Sequence, residues 1–539
     1  MKKNALVYGP VNGPVFDEIK YGLNLQDYTG AETLAACDVV VVSGAWLTPL
    51  AMSNDALLGS ALRAGKWVLA LDITEEHKSQ GLSKLIGCAN RGASTALMVR
   101  RERDRSGRSR TFVADVGWRA PSNGRPEGVQ PTISQQAGDA SLQAEAVLGN
   151  LYRDPMPVPG NNIPDDLLYT QYYFSYNPQL QLGPPPYRSN TQTAGMDLLF
   201  TYSVFLDNRN NPQGNFQWIA ATLDGKAQPA NGEIAADDER VKGWVQALIG
   251  VNYVVMAGAQ LNWVSSSPAN PIPIQTYTND SSFTVDFNTG GGGGSYTWGS
   301  SATYEIPDWG AVLESSPTGT ALWNFASQNP GNALLDNWSD DEAGWFQTGF
   351  GKGGLPEEPN LLTKGVVSFH VEQVWKTSIV EKQNAYVAVS AGQTLGAFYC
   401  SHYSPGACWS NCGCYETATN SMLDTHILDL TAVVPVPIES ITFDPNPVQA
   451  GTSATGTIVL SSAAPTDITI QISSNSQNAT VTPTVAINQG ETSGQFQVMT
   501  NDNGIPPGGH TVATISTFYA QDYQAQLTVS AAERMSKAG

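Results

Sequence analysis

The sequence predicts a multidomain, mainly β chain. A doubly wound α/β domain comes first, a β-sandwich stands in the middle, and a second β-sandwich closes the chain. Three observations predict this. The 539 residues exceed what one core holds. Residues 1–118 alternate strand and helix signals. From about 166 onward nearly every signal is a strand of period two, with helical periods almost absent.

The N-terminal domain, 1–118, is read from "NALVYG", "CDVVVVSGAW", "KWVLALDI" and "STALMVRR" as strands. The continuous Val39–Val42 run marks a strand buried on both faces, as in a parallel sheet. "NDALLGSALRAG", with Asn54 as cap and Gly65 as stop, and "EEHKSQGLSKLIG" read as the helices between them. Such sheets bind ligands at the carboxyl ends of their strands, here near Ser43, Gly44, Asp72 and Thr74. The likeness to flavodoxin-like and amidotransferase-like domains is general. No GxGxxG, P-loop or paired Cys and His accompanies it, so the domain is given no chemistry.

Residues 119–165 form a Pro- and Gly-rich linker that holds one short helix, "DASLQAEAVLGNLY". It is a place where the chain could be cut. Residues 166–385 read as the central sandwich. Residues 386–435 read as a Cys-rich segment. Residues 436–532 place turns every 8–12 residues between alternating strands, which predicts an immunoglobulin-like domain.

Composition excludes several functions. A net charge of −20 argues against nucleic acid and against adhesion to anionic lipid by charge alone. No apolar run is long enough for a spanning helix. "MKKNALVYGPVNGP" is broken by Gly9 and Pro10 and reads as a first strand, not as a clear signal peptide, which leaves the export route open. Cys37 and Cys88 read as buried thiols. Cys400, Cys408, Cys412 and Cys414 fall within seventeen residues, "CSHYSPGACWSNCGCYE", and suggest two disulfides or a metal knot. Their spacing fits no zinc module, so no metal is assigned and disulfides are expected. No cofactor and no enzyme activity are expected, because no nucleophile, base and orienting group stand together.

One stretch stands apart. "SFTVDFNTGGGGGSYTWGSSATYEIP", residues 282–307, reads as two strands around five glycines, within a hairpin spanning 275–307. A tight hairpin needs only two turn residues. On the first arm Tyr277, Phe283, Val285 and Phe287 share one parity, and Thr284 and Asp286 the other. On the second arm Tyr296, Trp298, Tyr304 and Ile306 oppose Thr297, Ser301 and Glu305 in the same way. Each arm has an apolar face and a polar face, the pattern of a strand of a transmembrane barrel. A lone hairpin cannot cross lipid with its outer backbone groups unpaired, so several copies would be required. No Lys or Arg occurs between Lys242 and Lys352.

The residues that follow are similar to a known family. "SSATYEIPDWGAVLESSPTGTALWNF", residues 300–325, resembles the segment that leaves the stem in the leukocidin/α-haemolysin family of β-barrel pore-forming toxins. Ile306-Pro307-Asp308-Trp309, Val312 to Thr318 and Leu322-Trp323 fit it in order. "DLLFTYSVFLDNRNNPQGNFQWIAATLDGKAQPANGE" resembles the first hairpin of that family's cap, and "VVSFHVEQVWKTS" its closing strand. "LLDNWS" places Trp338 at the family's rim tryptophan. The resemblance covers about 195–378. It implies a leukocidin-like sandwich with a pre-stem hairpin, secreted subunits and a homo-oligomeric ring. It further implies insertion of the stems into a target lipid membrane as one barrel. Phe283, Val285, Phe287, Tyr296, Trp298 and Tyr304 would then face lipid, and Asp286 and Glu305 the lumen. Gly290, Gly291, Gly292, Gly293 and Gly294 would form the tip. Near Trp338 stand Asp340, Asp341 and Glu342 and no Arg, so the family's Trp and Arg pair for phosphocholine is not reproduced. The alternative is a non-lytic, self-assembling structural protein that reuses the same sandwich.

Overall fold

The computed structural model describes residues 2–29, 34–44, 56–92, 94–103, 109–116, 140–152, 168–182, 192–207, 216–229, 241–268, 281–287, 294–300, 309–315, 320–327, 366–377, 380–400, 403–404, 407–408, 413–431, 433–464, 468–488, 490–519 and 521–532. In 281–287, 294–300, 396–400, 403–404, 407–408 and 413–417 it describes the backbone alone. The protein is multidomain and mainly β.

The first sheet has twelve strands. At one end lie the parallel strands Leu23–Asp27, Lys3–Tyr8, Val39–Ser43 and Trp67–Leu71. Ala96–Arg103 then pairs antiparallel to Trp67–Leu71, where the sequence suggested one more doubly wound strand. The connection from Leu71 to Ala96 is long enough for a crossover, but part of it is spent on Cys88–Asn90 in the second sheet, and the chain re-enters the first sheet at the Leu71 end, with Ala96 opposite Leu71. Ser109–Asp115 follows antiparallel, and Leu168–Tyr176 runs parallel beside it. The ladder continues through Gln192–Asp207, Phe216–Gln228, Val367–Thr377 and Leu261–Ser267. Thus the sheet runs straight across the boundary that the Pro-rich composition of 119–165 suggested.

The second sheet runs Trp309–Ser315, Ala321–Ser327, Val241–Val255, Asn384–Cys400, Gly413–Asp429 and Cys88–Asn90. The segment 386–435, set apart in the sequence by its cysteines, therefore supplies two interior strands of seventeen residues each. Between the sheets lies one core. It holds Val40, Leu97 and Val113 from the N-terminal part together with Phe174, Tyr202, Ile249, Trp323, Trp375 and Val389. Close approach is built in: a Cβ on Gly225 would fall 2.1 Å from the Phe369 ring, so only glycine fits beneath it. A second core, with Val41, Phe112, Val147 and Tyr173, lies on the sheet's other face under the helix Ala140–Tyr152.

Residues 436–532 form a separate sandwich of four- and five-stranded sheets around Ile458, Ile470, Phe496 and Val529. Its strands alternate buried and exposed residues, as in Ser453–Leu460 and Ile468–Ser474. Cys37 and Cys88 are buried free thiols, as the sequence suggested, and burial pushes both thiols up. Cys412 lies outside the described residues. Cys400, Cys408 and Cys414 are described in backbone only, on the hairpin of the two long strands and beside it.

Candidate functional site

The hairpin is present. Ser281–Phe287 and Gly294–Ser300 pair antiparallel and make a two-stranded sheet of their own. Among the described residues no other strand joins them. The register sets Phe283 opposite Trp298, Val285 opposite Tyr296, Thr284 opposite Thr297 and Asp286 opposite Ser295. Residues directly opposite in an antiparallel pair belong to the same face, so the apolar parities of the two arms fall together, as do the polar ones. Gly294 is not part of the turn: it opens the returning strand opposite Phe287. Gly290, Gly291, Gly292, Gly293, Tyr304, Glu305 and Trp338 lie outside the described residues.

Each described arm is seven residues long, against about nine to eleven for a tilted barrel strand. The full length expected for 275–307 includes residues outside the described ones.

The mount of this hairpin is specific. The chain enters it from Leu261–Ser267, which ends the first sheet, and leaves it into Trp309–Ser315, which ends the second. In chain order the hairpin therefore lies between an edge strand of one layer and an edge strand of the other. Its root is held by side chains. Trp323 donates from Nε1 to the Pro268 carbonyl at 3.2 Å, within the core. Trp263 Nε1 donates to Ser266 Oγ at 2.9 Å, and Ser266 Oγ to Gln373 Oε1 at 2.5 Å.

Beside the root, His370 sits between two carboxylates. Nδ1 is 2.6 Å from Asp224 Oδ1 and Nε2 is 2.9 Å from Glu372 Oε1. Burial opposes the imidazolium charge, but the two carboxylates outweigh it and hold His370 up at about 9. The ring is thus a cation with both N–H groups engaged, which leaves no nitrogen free for acid–base work. Glu372 is 1% exposed and its Oε2 has no hydrogen-bond partner among the described residues.

A second buried polar set lies on the opposite side of the sandwich. Asp424 and His426 stand on the core parity of Gly413–Asp429, between Met422 and Leu428. Asn90 donates from Nδ2 to Asp115 at 2.9 Å and to Asp424 at 2.8 Å. Tyr176 donates its hydroxyl proton to Asp424 Oδ2 at 2.7 Å. That leaves the Tyr176 oxygen as acceptor for His426 Nε2–H, also at 2.7 Å. A neutral imidazole then accepts at Nδ1, where the Tyr202 hydroxyl lies 2.7 Å away. Burial holds His426 well below its ordinary range, which keeps it neutral. Its ring stacks on Phe174, with centroids 4.1 Å apart.

Lys78, 1% exposed, donates to the Gly92 carbonyl and faces Asp115 and Asp424. Burial lowers its pKa. Burial also raises Asp424, and raises Asp115 to about 7, where Lys78 pulls it down and Asp424 pushes it up. Two acids, one ammonium, one amide, two phenols and one imidazole are thus closed into the interior. The arrangement joins layers rather than meeting a substrate.

At the carboxyl ends of the parallel strands, Ser43 is buried and Asp72 takes a left-handed φ of 52°. Asp is among the side chains that tolerate this. Thr74 N–H donates to His77 Nδ1 at 3.1 Å. The Thr74 hydroxyl lies 3.2 Å from the same Nδ1 and accepts from the His77 N–H at 3.3 Å, so the two side chains close a local turn. Among the described residues no group of three or more His, Cys, Asp or Glu is placed to hold a metal ion. The seam residues Asp115, Asp424 and His426 were missed by sequence reasoning, although polar residues on an otherwise apolar parity are their signal.

No protein-family model matches the chain, and no curated protein matches it. Among solved structures it is similar to Clostridium perfringens delta-toxin, with a TM-score of 0.32 and 13% identity, over 48% of this chain and 90% of that one. It is also similar to a structure named as a pore forming protein, with a TM-score of 0.27 and 11% identity, over 48% of this chain and 92% of that one. Likenesses this distant assign the chain neither to the family that residues 195–378 resemble nor to an activity.

Proposed function

We propose that the chain is a β-barrel pore-forming protein of the cytolysin kind. In this reading the hairpin leaves the open side of the sandwich and pairs with the hairpins of other copies in a target lipid membrane. One observation carries it: the hairpin is a two-stranded sheet bonded only to itself among the described residues, with apolar opposite apolar, and in chain order it joins an edge strand of one sheet to an edge strand of the other. Its outer backbone groups find partners in lipid only if a barrel closes. The apolar face of Phe283, Val285, Phe287, Tyr296, Trp298 and Tyr304 would meet lipid. Asp286 and Glu305 would line the lumen and favour cations, and Trp338 would touch the membrane surface. Gly290 to Gly294 would carry no side chain across the bilayer, where bulk and charge are costly. A secreted subunit with no cofactor and no reaction fits this role.

The second reading is a non-lytic protein that assembles through the same free edges, by strand addition between subunits without lipid. Dye release from liposomes separates the two. A Gly292→Cys variant is added outside vesicles that hold an impermeant thiol reagent, with the unsubstituted chain as background. The pore reading expects release together with labelling from inside. Ordered assemblies without lipid and intact vesicles would sink it in favour of the second.

A further inference from the structure

The described strands of residues 3–116 occupy the ends of both sheets opposite to Leu261–Ser267 and Trp309–Ser315. Ser109–Asp115 pairs along Leu168–Tyr176, from Ser109 opposite Thr170 to Asp115 opposite Tyr176. Cys88–Asn90 pairs with the end of Gly413–Asp429, from Asn90 opposite His426 to Cys88 opposite Leu428. Without this layer, Leu168–Tyr176 and Gly413–Asp429 would be the edges of their sheets. Ladder bonds are reinforced at the margin. Asp429 N–H donates to the Gly87 carbonyl at 2.9 Å, and Arg91 N–H to the Thr425 carbonyl at 3.0 Å. Leu82, Ile86, Cys88, Leu97 and Val99 share one core with Phe174, Tyr202 and Leu428. Fit is close as well: a Cβ on Gly92 would fall 2.6 Å from Asp424 Oδ2.

The buried charges do not decide whether the layer stays. Lys78 and Asp115 belong to the N-terminal layer and Asp424 to the sandwich. Separation would put Lys78, Asp115 and Asp424 into water, where hydration offsets the loss of their mutual attraction. It would also expose Phe174, Tyr176 and Tyr202, each at most 1% exposed now, together with two bare strand edges. The apolar area and the ladders therefore decide the balance in favour of staying.

We infer that residues 3–116 are a permanent layer of the sandwich, which stays bound without its covalent link when the chain is cut between 117 and 139. The layer acts as an internal strand donor that closes one side of the subunit, and its loss is not the step that frees the hairpin. This holds whether or not the hairpin enters lipid.

The test is a full-length chain with a specific protease site inserted between 124 and 130. After complete cleavage at neutral pH both fragments should co-elute in size exclusion at the position of the uncut chain, and separate only in denaturant. Dye release by the cut and uncut chains should agree within about twofold. An N-terminal fragment that elutes alone, aggregation of the cut chain, or release that rises as the fragment is lost would each overturn the inference. In a second arm, a Lys78→Met version of the cut chain should part at a lower urea concentration than the cut parent. An unchanged midpoint would remove the buried charges from the account of what holds the layer.

Discussion

The two sides of the central sandwich end their sheets in opposite ways. On one side Leu261–Ser267 and Trp309–Ser315 are terminal strands, and the chain between them is a hairpin bonded only to itself among the described residues. On the other side the layer 3–116 extends both sheets and shares a core and a closed polar set with them. The contrast shows where rearrangement is cheap. Lifting the hairpin breaks no described ladder except its own, which it takes along. Opening the seam breaks two ladders and strips a set of aromatic residues from the core.

The comparison can be broken most directly at the seam. Asp424→Ala leaves Lys78, Asn90 and the Arg91 N–H facing an empty place in the interior. A loss of about 3–5 kcal/mol is expected, the usual cost of removing one partner of a buried charge pair. A fall in the urea midpoint of residues 1–434 checks it. An unchanged midpoint would mean that the seam is not what closes this side.

On the hairpin side, Val285→Lys should leave that midpoint unchanged and suppress dye release. A lysine at the bilayer midplane costs about 2–4 kcal/mol in each subunit, and the cost repeats around a ring. Thr284→Lys, on the polar face, is the control and should retain most of the release. If both substitutions behave alike, the face assignment fails.

His370 gives a pH-dependent measure of the hairpin's root. Its folded pKa of about 9 lies above the ordinary value of 6.5, so it binds its proton more tightly when folded. Its contribution is therefore fully present below about pH 6.5 and is lost as pH rises through 9. It amounts to about 3 kcal/mol at most. The stability advantage of the parent over His370→Gln, measured by urea at pH 6 and pH 9.5, should shrink at the higher pH. The smallest effect belongs to neither side. Met499→Thr, on an exposed position of the C-terminal sandwich, should shift that unit's stability by less than about 0.5 kcal/mol and leave dye release alone.

Much of the hairpin was legible because its information is local. Period-two alternation at Phe283, Val285, Tyr296 and Trp298 names both the strands and the faces. The Val39–Val42 run and the helix Ala140–Tyr152 were legible for the same reason. The seam was not. Asn90 sits in a strand of three residues, and its partners Asp115 and Asp424 are chosen by registers that no local pattern encodes. The interior strands Asn384–Cys400 and Gly413–Asp429 were hidden differently. Stretches such as "AVSAGQTLGA" pair small residues with weak hydrophobic contrast, so the cysteines at their tip dominated the reading. The direction of Ala96–Arg103 was misread because it depends on which end of Trp67–Leu71 the chain returns to after its detour through Cys88–Asn90, and composition does not encode that.

Asn90 and Asp424 stand 334 residues apart in the chain. At about 5–20 residues per second, a ribosome needs on the order of 15–70 s to deliver the second after the first. During that interval the N-terminal layer waits with an ammonium and a carboxyl group still in water, and the glycine-tipped hairpin has already emerged. The contact that seals the interior forms only after residue 424 has emerged, so a newborn subunit closes this side after the hairpin has been made.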